Sequence, residues 1–451
     1  MHYLAIAFIL ISYPGLVYLL KTNPRYRHWA YFFIGMLPFV VHIWQLEAAF
    51  INWAAWPGYA KGVVITVEDT LALAIITTQR QPRGAPPLIG FLALYMAAVA
   101  FSIVLAGVWM ASFFYLFQLL RFAVIVIAVA KIASDPRSLQ WLGMGLAGGM
   151  IYEAAVTIDQ KLHGVFQAPG TMAHPNQLGM MAHLVVLPIL GMLLAGYRSR
   201  ILVLGVTSSL VVIALGASRA TIGFVAFGVA LVLLLSLRRR STPQKKKMVG
   251  LAVATMVVAT PFLLHSVSNR LAQQYEYRSE FEYDERAAFE RAAKAMWKDH
   301  PLGVGANNYV VVANGQGYSA RAGVAWTGGS RATNVHNTYL LIGAETGWAG
   351  LVTYLAMIGA VMFAGWRFAF GKRGDPRGDI ALGSTIGIAM MALHSQYEWI
   401  TVTYHVQYVI AISFGIVSGL VRVRALEAKQ ARRNQIAARA SVEPSAGEAI
   451  A

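Results

Sequence analysis

The sequence contains no cysteine. That excludes disulfides, thiolate metal sites and cysteine nucleophiles, so the polar loops must hold together without staples. Charge is scarce too: Asp, Glu, Lys and Arg make up only 13% of the residues, against about a quarter in a soluble protein. There is no Gly-Lys-Ser/Thr phosphate loop and no nucleotide-fold signature, which argues against ATP or a nucleotide sugar as substrate. Metal-ligand spacings such as His-Glu-x-x-His are also missing. The expectation is an active protein with no metal and no cofactor.

What the chain has instead is apolar length. Of its 451 residues 57% are hydrophobic, and the mean hydropathy is +0.55. Apolar runs of roughly 17 to 22 residues recur, enough to cross a bilayer. Candidate spans fall at 3–20, 29–45, 62–78, 87–105, 110–130, 138–157, 177–196, 201–216, 220–236, 248–265, 347–365, 380–396 and 404–422. The expected fold is all-α: a polytopic integral membrane protein with about 12–13 transmembrane helices and one extended extracytoplasmic helical loop. The first run, MHYLAIAFILISYPGLVYLL, lacks a basic n-region and a small-residue cleavage site, and reads as a retained span. Glu68 and Asp69 within 62–78 are expected to face a cavity or another helix.

The net charge is +17, from 37 Lys and Arg against 20 Asp and Glu. In a soluble protein this would suggest nucleic acid. Here the basic residues alternate with spans and form no aromatic-interleaved patch, so the expected partner is the lipid bilayer and no nucleic acid. Basic loops at Lys21 to Arg27, Arg80/Arg83, Lys131/Arg137, Arg198/Arg200, Arg238 to Lys247, Arg367 to Arg377 and Arg422 to Arg439 fall on one side of a single alternation, which places them in the cytoplasm. The chain then divides into a helix bundle (1–266), an outer loop (267–346), C-terminal spans (347–423) and a basic tail (424–451). The tail reads as an Ala/Arg helix on anionic lipid, ending in a disordered stub.

The outer loop carries the chemistry. From Glu285 to Lys298 apolar residues recur at helical spacing, with Asp284 available as N-cap and Pro301 closing the run. The stretch VHNTYLLIGAETGWAG, residues 335–350, then opens a helix that Thr333 or Asn334 can cap. Helical geometry puts His336, Tyr339, Leu340, Gly343 and Gly347 on one face, where the glycines let a helix or lipid approach, and Glu345 on the other. His336 reads either as a general base or as a structural cap, and the residues alone leave both open.

Arginine adds weight to a functional reading. Arg270, Arg278, Arg286, Arg291, Arg321 and Arg331 all lie in the outer loop, and a guanidinium binds phosphate oxygens in bidentate fashion. Glu276, Glu280, Glu282, Asp284 and Glu285 offer each of them a salt bridge instead. Arg219, in ASRA at the outer end of two spans, has no acid nearby in sequence, which favours an anionic ligand. In GTMAHPNQLG, Asn176 or Gln177 can bind a sugar or cap the helix, and His394, Glu398 and His405 can line the same cavity.

These residues together resemble the O-antigen ligase and polymerase superfamily of bacterial glycosyltransferases, over roughly Gly170 to the last span. The most specific part is HPLGVGANNY with VHNTYLLIGAETGWAGL, which is similar to the family's Pro-x-Gly-x-Gly and His-Asn-x-x-Leu pattern. Arg286, fifteen residues before Pro301, stands where the family's loop arginine is expected, SRA around Arg219 looks like its span-end arginine, and HPNQLG resembles its earlier outer loop. The resemblance implies a GT-C-like enzyme of the bacterial inner membrane with its active site on the periplasmic side. It implies an undecaprenyl-diphosphate-linked glycan as donor and a sugar hydroxyl of lipid A-core as acceptor, in lipopolysaccharide assembly. His336 would be the base, with Arg219 and Arg286 on the diphosphate. Asn337, Arg278, Arg291, Arg331, Tyr339, Asn176, Gln177 and Glu398 would bind substrate. The moderate loop favours a ligase over an O-antigen polymerase or a protein O-oligosaccharyltransferase. A lipid-linked glycan flippase would need internal repeats and broken helices through the midplane, and no clear repeat is visible.

Overall fold

The computed structural model describes residues 2–79, 82, 84–216, 218–254, 257, 261, 268 and 285–442. Arg80, Arg83, the acids from Glu276 to Asp284, the far end of the 248–265 span and the stub beyond 442 lie outside the described residues. The chain is overwhelmingly helical. Helices α1 (His2–Thr22) and α2 (Arg27–Val40) lead into a two-stranded antiparallel hairpin, β1 (Glu47–Asn52) and β2 (Gly62–Thr66). Then follow α3 (Val67–Thr78), α4 (Ile89–Leu105), α5 (Trp109–Ile132), α6 (Pro136–Leu162), α7 (Pro175–Leu194), α8 (Arg200–Gly216), α9 (Arg219–Arg239) and α10, described over 243–254. The outer loop holds α11 (Glu285–Asp299) and three short helices, α12 (Tyr309–Gly315), α13 (Tyr318–Arg321) and α14 (Gly328–Arg331). The chain closes with α15 (Thr338–Gly371), α16 (Arg377–His394) and α17 (Tyr404–Val442).

Among the described residues seven helices, α1, α5, α6, α7, α9, α15 and α17, are long and apolar enough to cross a membrane, and α4 and α8 are shorter apolar helices. Helix α7 is buried along its apolar length and forms the centre, packed by α6, α8, α9, α16 and α17, whereas α1 lies at the periphery. The protein is therefore an all-α polytopic membrane protein.

Two span boundaries expected from sequence differ. The run 62–78 is a strand to Thr66 and a helix only from Val67, because Val63, Val64, Ile65 and Thr66 favour a strand and Thr66 with Asp69 forms a capping box that fixes the helix start. The run 29–45 stops being helical at Val40, where a turn with Gln45 at φ 52 carries the chain into β1. The basic tail is helical as expected, but it continues α17 without a break and is not a separate surface helix. At about 1.5 Å per residue such a helix outruns the ~30 Å hydrocarbon core.

Hydrogen bonds gather the connecting segments into two sets. At one end Lys131 Nζ donates to Gln79 O (2.7 Å), Arg422 to Gly84 O (2.8 Å), Arg239 to Asp375 O (2.8 Å) and Lys245 to Asp379 (2.7 Å), so the basic connections sit together. At the other end Asn307 in the outer loop joins the hairpin to α5. Its Nδ2 donates to Ala60 O (2.7 Å) and Ala111 O (3.0 Å), and its carbonyl accepts from Trp56 Nε1 (3.2 Å). Helices α3, α5, α15 and α17 run from one set to the other.

Candidate active site

The site begins with a broken helix. Gly347, at φ 65 and ψ −165, interrupts α15, and the loop after Pro301 fills the break. Val304 N donates to Ala344 O (3.1 Å), Gly305 N to Glu345 O (2.8 Å) and Trp348 N to Pro301 O (3.2 Å). These bonds satisfy groups that the interruption leaves open. Approach is this close because a Cβ on Gly303 would collide with the Glu345 backbone, and one on Gly347 with Leu302. PLGVG and GAETGWAG thus interlock. The close approach expected at these glycines is real, but what approaches is the loop, with Trp297 of α11 against Gly343.

Glu345, on the other side of α15, is buried beneath the loop, where it accepts from Tyr59 Oη (2.6 Å) and Tyr309 N (3.0 Å). This bracket between hairpin, loop and α15 was not visible in the sequence.

The N-terminus of α15 places His336. Asn337, and neither Thr333 nor Asn334, is the cap: its Oδ1 accepts from Tyr339 N (3.0 Å) and Leu340 N (3.1 Å). Thr338 clamps this end to the turn after α16, with Oγ1 donating to Glu398 O (2.7 Å) and N to Ser395 O (2.8 Å). His336 therefore precedes the helix, and its Nδ1 lies 3.3 Å from Glu398 Oε2.

Glu398 is the hub. Its Oε1 accepts from Asn176 Nδ2 at the start of α7 (2.6 Å) and from Arg286 Nη2 of α11 (3.4 Å). The Glu398 side chain is only 5% exposed, whereas His336 is 27% and Arg286 55% exposed, so a buried carboxylate supports two groups that solvent or substrate can reach. Phe289, one helical turn after Arg286, sets its ring 6.0 Å from that of His336.

Burial alone would push the Glu398 carboxyl up, but the His336 hydrogen bond and charge, with that of Arg286, outweigh it and hold it below the ordinary value. Its share of stability is present above the ordinary carboxylate range and is lost as pH falls through the lowered value. His174, the N-cap of α7, has the opposite problem: burial pushes its imidazole down, against the pull of Glu398. It is a member of the cluster that sequence reasoning missed, although it stands in HPNQLG beside Asn176.

Arg219 heads α9 and opens a groove of about 380 Å³ lined by Phe224, Phe227, Leu393 and Tyr397. Tyr397 is the neighbour of Glu398 in the chain, so the groove adjoins the hub. Tyr339 donates to Ala392 O (2.5 Å) and joins α15 to α16, and Gln177 is buried in the first turn of α7.

Arg291 and Arg331 spend donors on the loop itself, Arg291 on Ala322 O (3.1 Å) and Arg331 on Val324 O (2.8 Å) and Ala325 O (3.1 Å). Arg278 and Arg270 lie outside the described residues. His394 is buried against His183 and Phe224, and His405 lies by His42, 6.0 Å between rings, away from Glu398. Three distant stretches, around residues 176, 286 and 336, thus converge on the carboxylate of Glu398.

Residues 203–355 match the family model described as O-Antigen ligase. That segment contains Arg219, Arg286 and His336, but neither Asn176 nor Glu398. No curated protein matches the chain. The matched segment runs from α8 into α15, across the interlocked loop and helix break that place His336, and over that segment the chain is similar to O-antigen ligases.

Proposed function

We propose that this protein is a metal-independent, inverting O-antigen ligase. It moves polysaccharide from undecaprenyl diphosphate to a sugar hydroxyl of lipid A-core at the periplasmic face of the inner membrane. The coarser statement, an O-antigen ligase or polymerase type of function in a membrane, rests on the family match and the apolar helices. The observation that carries the finer reading is the convergence of His336, Arg286 and Asn176 on the Glu398 carboxylate.

With Nδ1–H directed at Glu398, Nε2 of His336 is the basic nitrogen. It takes the proton of the acceptor hydroxyl as that oxygen attacks the anomeric carbon. The bond from that carbon to the diphosphate oxygen breaks, and the electron pair leaves with the diphosphate. Arg219 and Arg286 stabilise the charge that grows there. One displacement inverts the anomeric centre. Asn337, Tyr339, Gln177 and the loop arginines Arg291 and Arg331 frame the substrates more distantly, and Arg278, outside the described residues, would bind substrate with them.

The test is the purified protein in liposomes with a diphosphate-linked glycan and lipid A-core: the reading expects a lipid-A-linked product with the opposite anomeric configuration. A product formed only between repeat units would favour a polymerase. Transfer should survive excess EDTA, since among the described residues no three His, Asp or Glu side chains group as metal ligands and arginines stand where charge develops. Loss of transfer restored by Mg²⁺ or Mn²⁺ would contradict it.

Lysine should replace Arg219 or Arg286 poorly, because a point charge on a flexible stem does not reproduce a bidentate fork over two phosphate oxygens. Arg219→Lys and Arg286→Lys should insert and fold yet bind donor about tenfold or more weakly, the worth of one charge-assisted hydrogen bond. Wild-type donor affinity in both would make these arginines structural.

A further inference from the structure

Trp326, between α13 and α14, is 84% exposed, yet its ring is not loose. The guanidinium carbon of Arg331 lies 3.8 Å from the ring centroid and covers one face. Arg331 is itself fixed by its bonds to Val324 O and Ala325 O, by a longer one to Asn314 Oδ1 (3.4 Å), and by Asn314 Nδ2 donating to its carbonyl (2.7 Å). The Arg291 bond to Ala322 O ties the same loop to α11. The next residues, Thr327, Gly328 and Gly329, are exposed, and a Cβ on either glycine would meet nothing within 4 Å. A large aromatic is thus held against Arg331 at the exposed surface beside open space, although burying it would be favourable.

We propose that Trp326, backed by Arg331, is a carbohydrate platform: it stacks on a sugar ring of the donor's glycan chain, remote from the reacting end. This rests on the reading of the substrate as a lipid-linked glycan. A pyranose presents an apolar C–H face with hydroxyls around its rim, which matches an exposed indole face with an N–H donor at its edge.

The competing role is a membrane-interface anchor, since tryptophan collects at bilayer surfaces. The neighbourhood favours sugar. Trp326 is followed by threonine and two glycines and is covered on one face by an arginine. The anchor role suits another pair: Trp348, 58% exposed, packs with its ring tilted against Trp297 (centroids 4.4 Å apart), with Leu302 close by and also exposed. Ten residues separate Trp326 from His336, a span of at most about 36 Å even if fully extended. A glycan whose reducing end sits at His336 passes within reach.

The experiment uses the full chain in nanodiscs and, as probe, the free polysaccharide released by mild acid from the host bacterium's lipopolysaccharide, which has no diphosphate. Saturation-transfer NMR should show wild-type protein binding it and Trp326→Ala binding about 3- to 10-fold more weakly, with Trp326→Phe recovering most of the loss. In transfer assays Trp326→Ala should raise KM for a long-chain donor at unchanged kcat, and leave a single-repeat donor unaffected. Because the chain has no other cysteine, Trp326→Cys takes a single spin label, which should be accessible to a water-soluble relaxation agent.

Absence of glycan binding by the wild type, unchanged affinity in Trp326→Ala, or a label relaxed by lipid-dissolved oxygen would each overturn the platform. Glycan binding through Trp326 without any transfer would leave the platform standing and sink the functional reading. Transfer with glycan affinity indifferent to Trp326 would do the reverse.

Discussion

His336→Ala should abolish transfer while leaving the protein folded and donor-bound. A positioned base contributes about 10²- to 10⁴-fold, and the loss should fall on turnover, with donor affinity close to wild type. The side chain is partly exposed, so its removal opens no core cavity. The measurement is single-turnover transfer alongside donor binding, both in detergent-purified protein. A variant that loses donor binding in step with turnover would point to a binding role.

The second large effect is expected at Glu398, through His336. Glu398→Gln keeps the size and much of the hydrogen bonding but removes the charge. Without the carboxylate the imidazole loses its orienting acceptor and the stabilisation of its protonated form. Turnover should drop about 10²-fold or more, as for other bases deprived of an ionised partner. A double variant separates this from simple damage. If Glu398 acts through His336, adding Glu398→Gln to His336→Ala should cost little further turnover. Unchanged turnover in Glu398→Gln would leave the carboxylate a role in folding alone. If turnover fell as far again in the His336→Ala background, Glu398 would act by itself and not through His336.

How much of this was legible in the sequence follows from how far each contact reaches. Apolar runs are local, so most spans could be read directly, and so could the amphipathic helix from Glu285, which the structure ends at Asp299. The interlock of PLGVG with GAETGWAG could be suspected from the glycines, but which surface they admit depends on tertiary packing. Glu398 was one of several polar residues near the last outer turn. Its bonds to His336, 62 residues away, and to Asn176, 222 away, leave no periodic trace. The arginines show the opposite failure. Composition marks them all as phosphate binders, yet Arg291 and Arg331 find carbonyls in their own loop, and only three-dimensional placement sets Arg286 apart. The hairpin was obscured because Val63 to Ile65 reads equally well as the start of an apolar span until the Thr66–Asp69 capping box is taken as a helix start.

The measurement that bears most directly on His336 as the base is single-turnover transfer by His336→Gln in liposomes, with saturating diphosphate-linked glycan and lipid A-core. Glutamine retains a hydrogen-bonding side chain that can face Glu398, but it cannot take a proton at neutral pH. The base role predicts wild-type donor affinity and transfer slowed by about 10²-fold or more. Transfer by His336→Gln at near the wild-type rate would contradict it, leaving His336 a structural residue and Glu398 the next group to examine as the base.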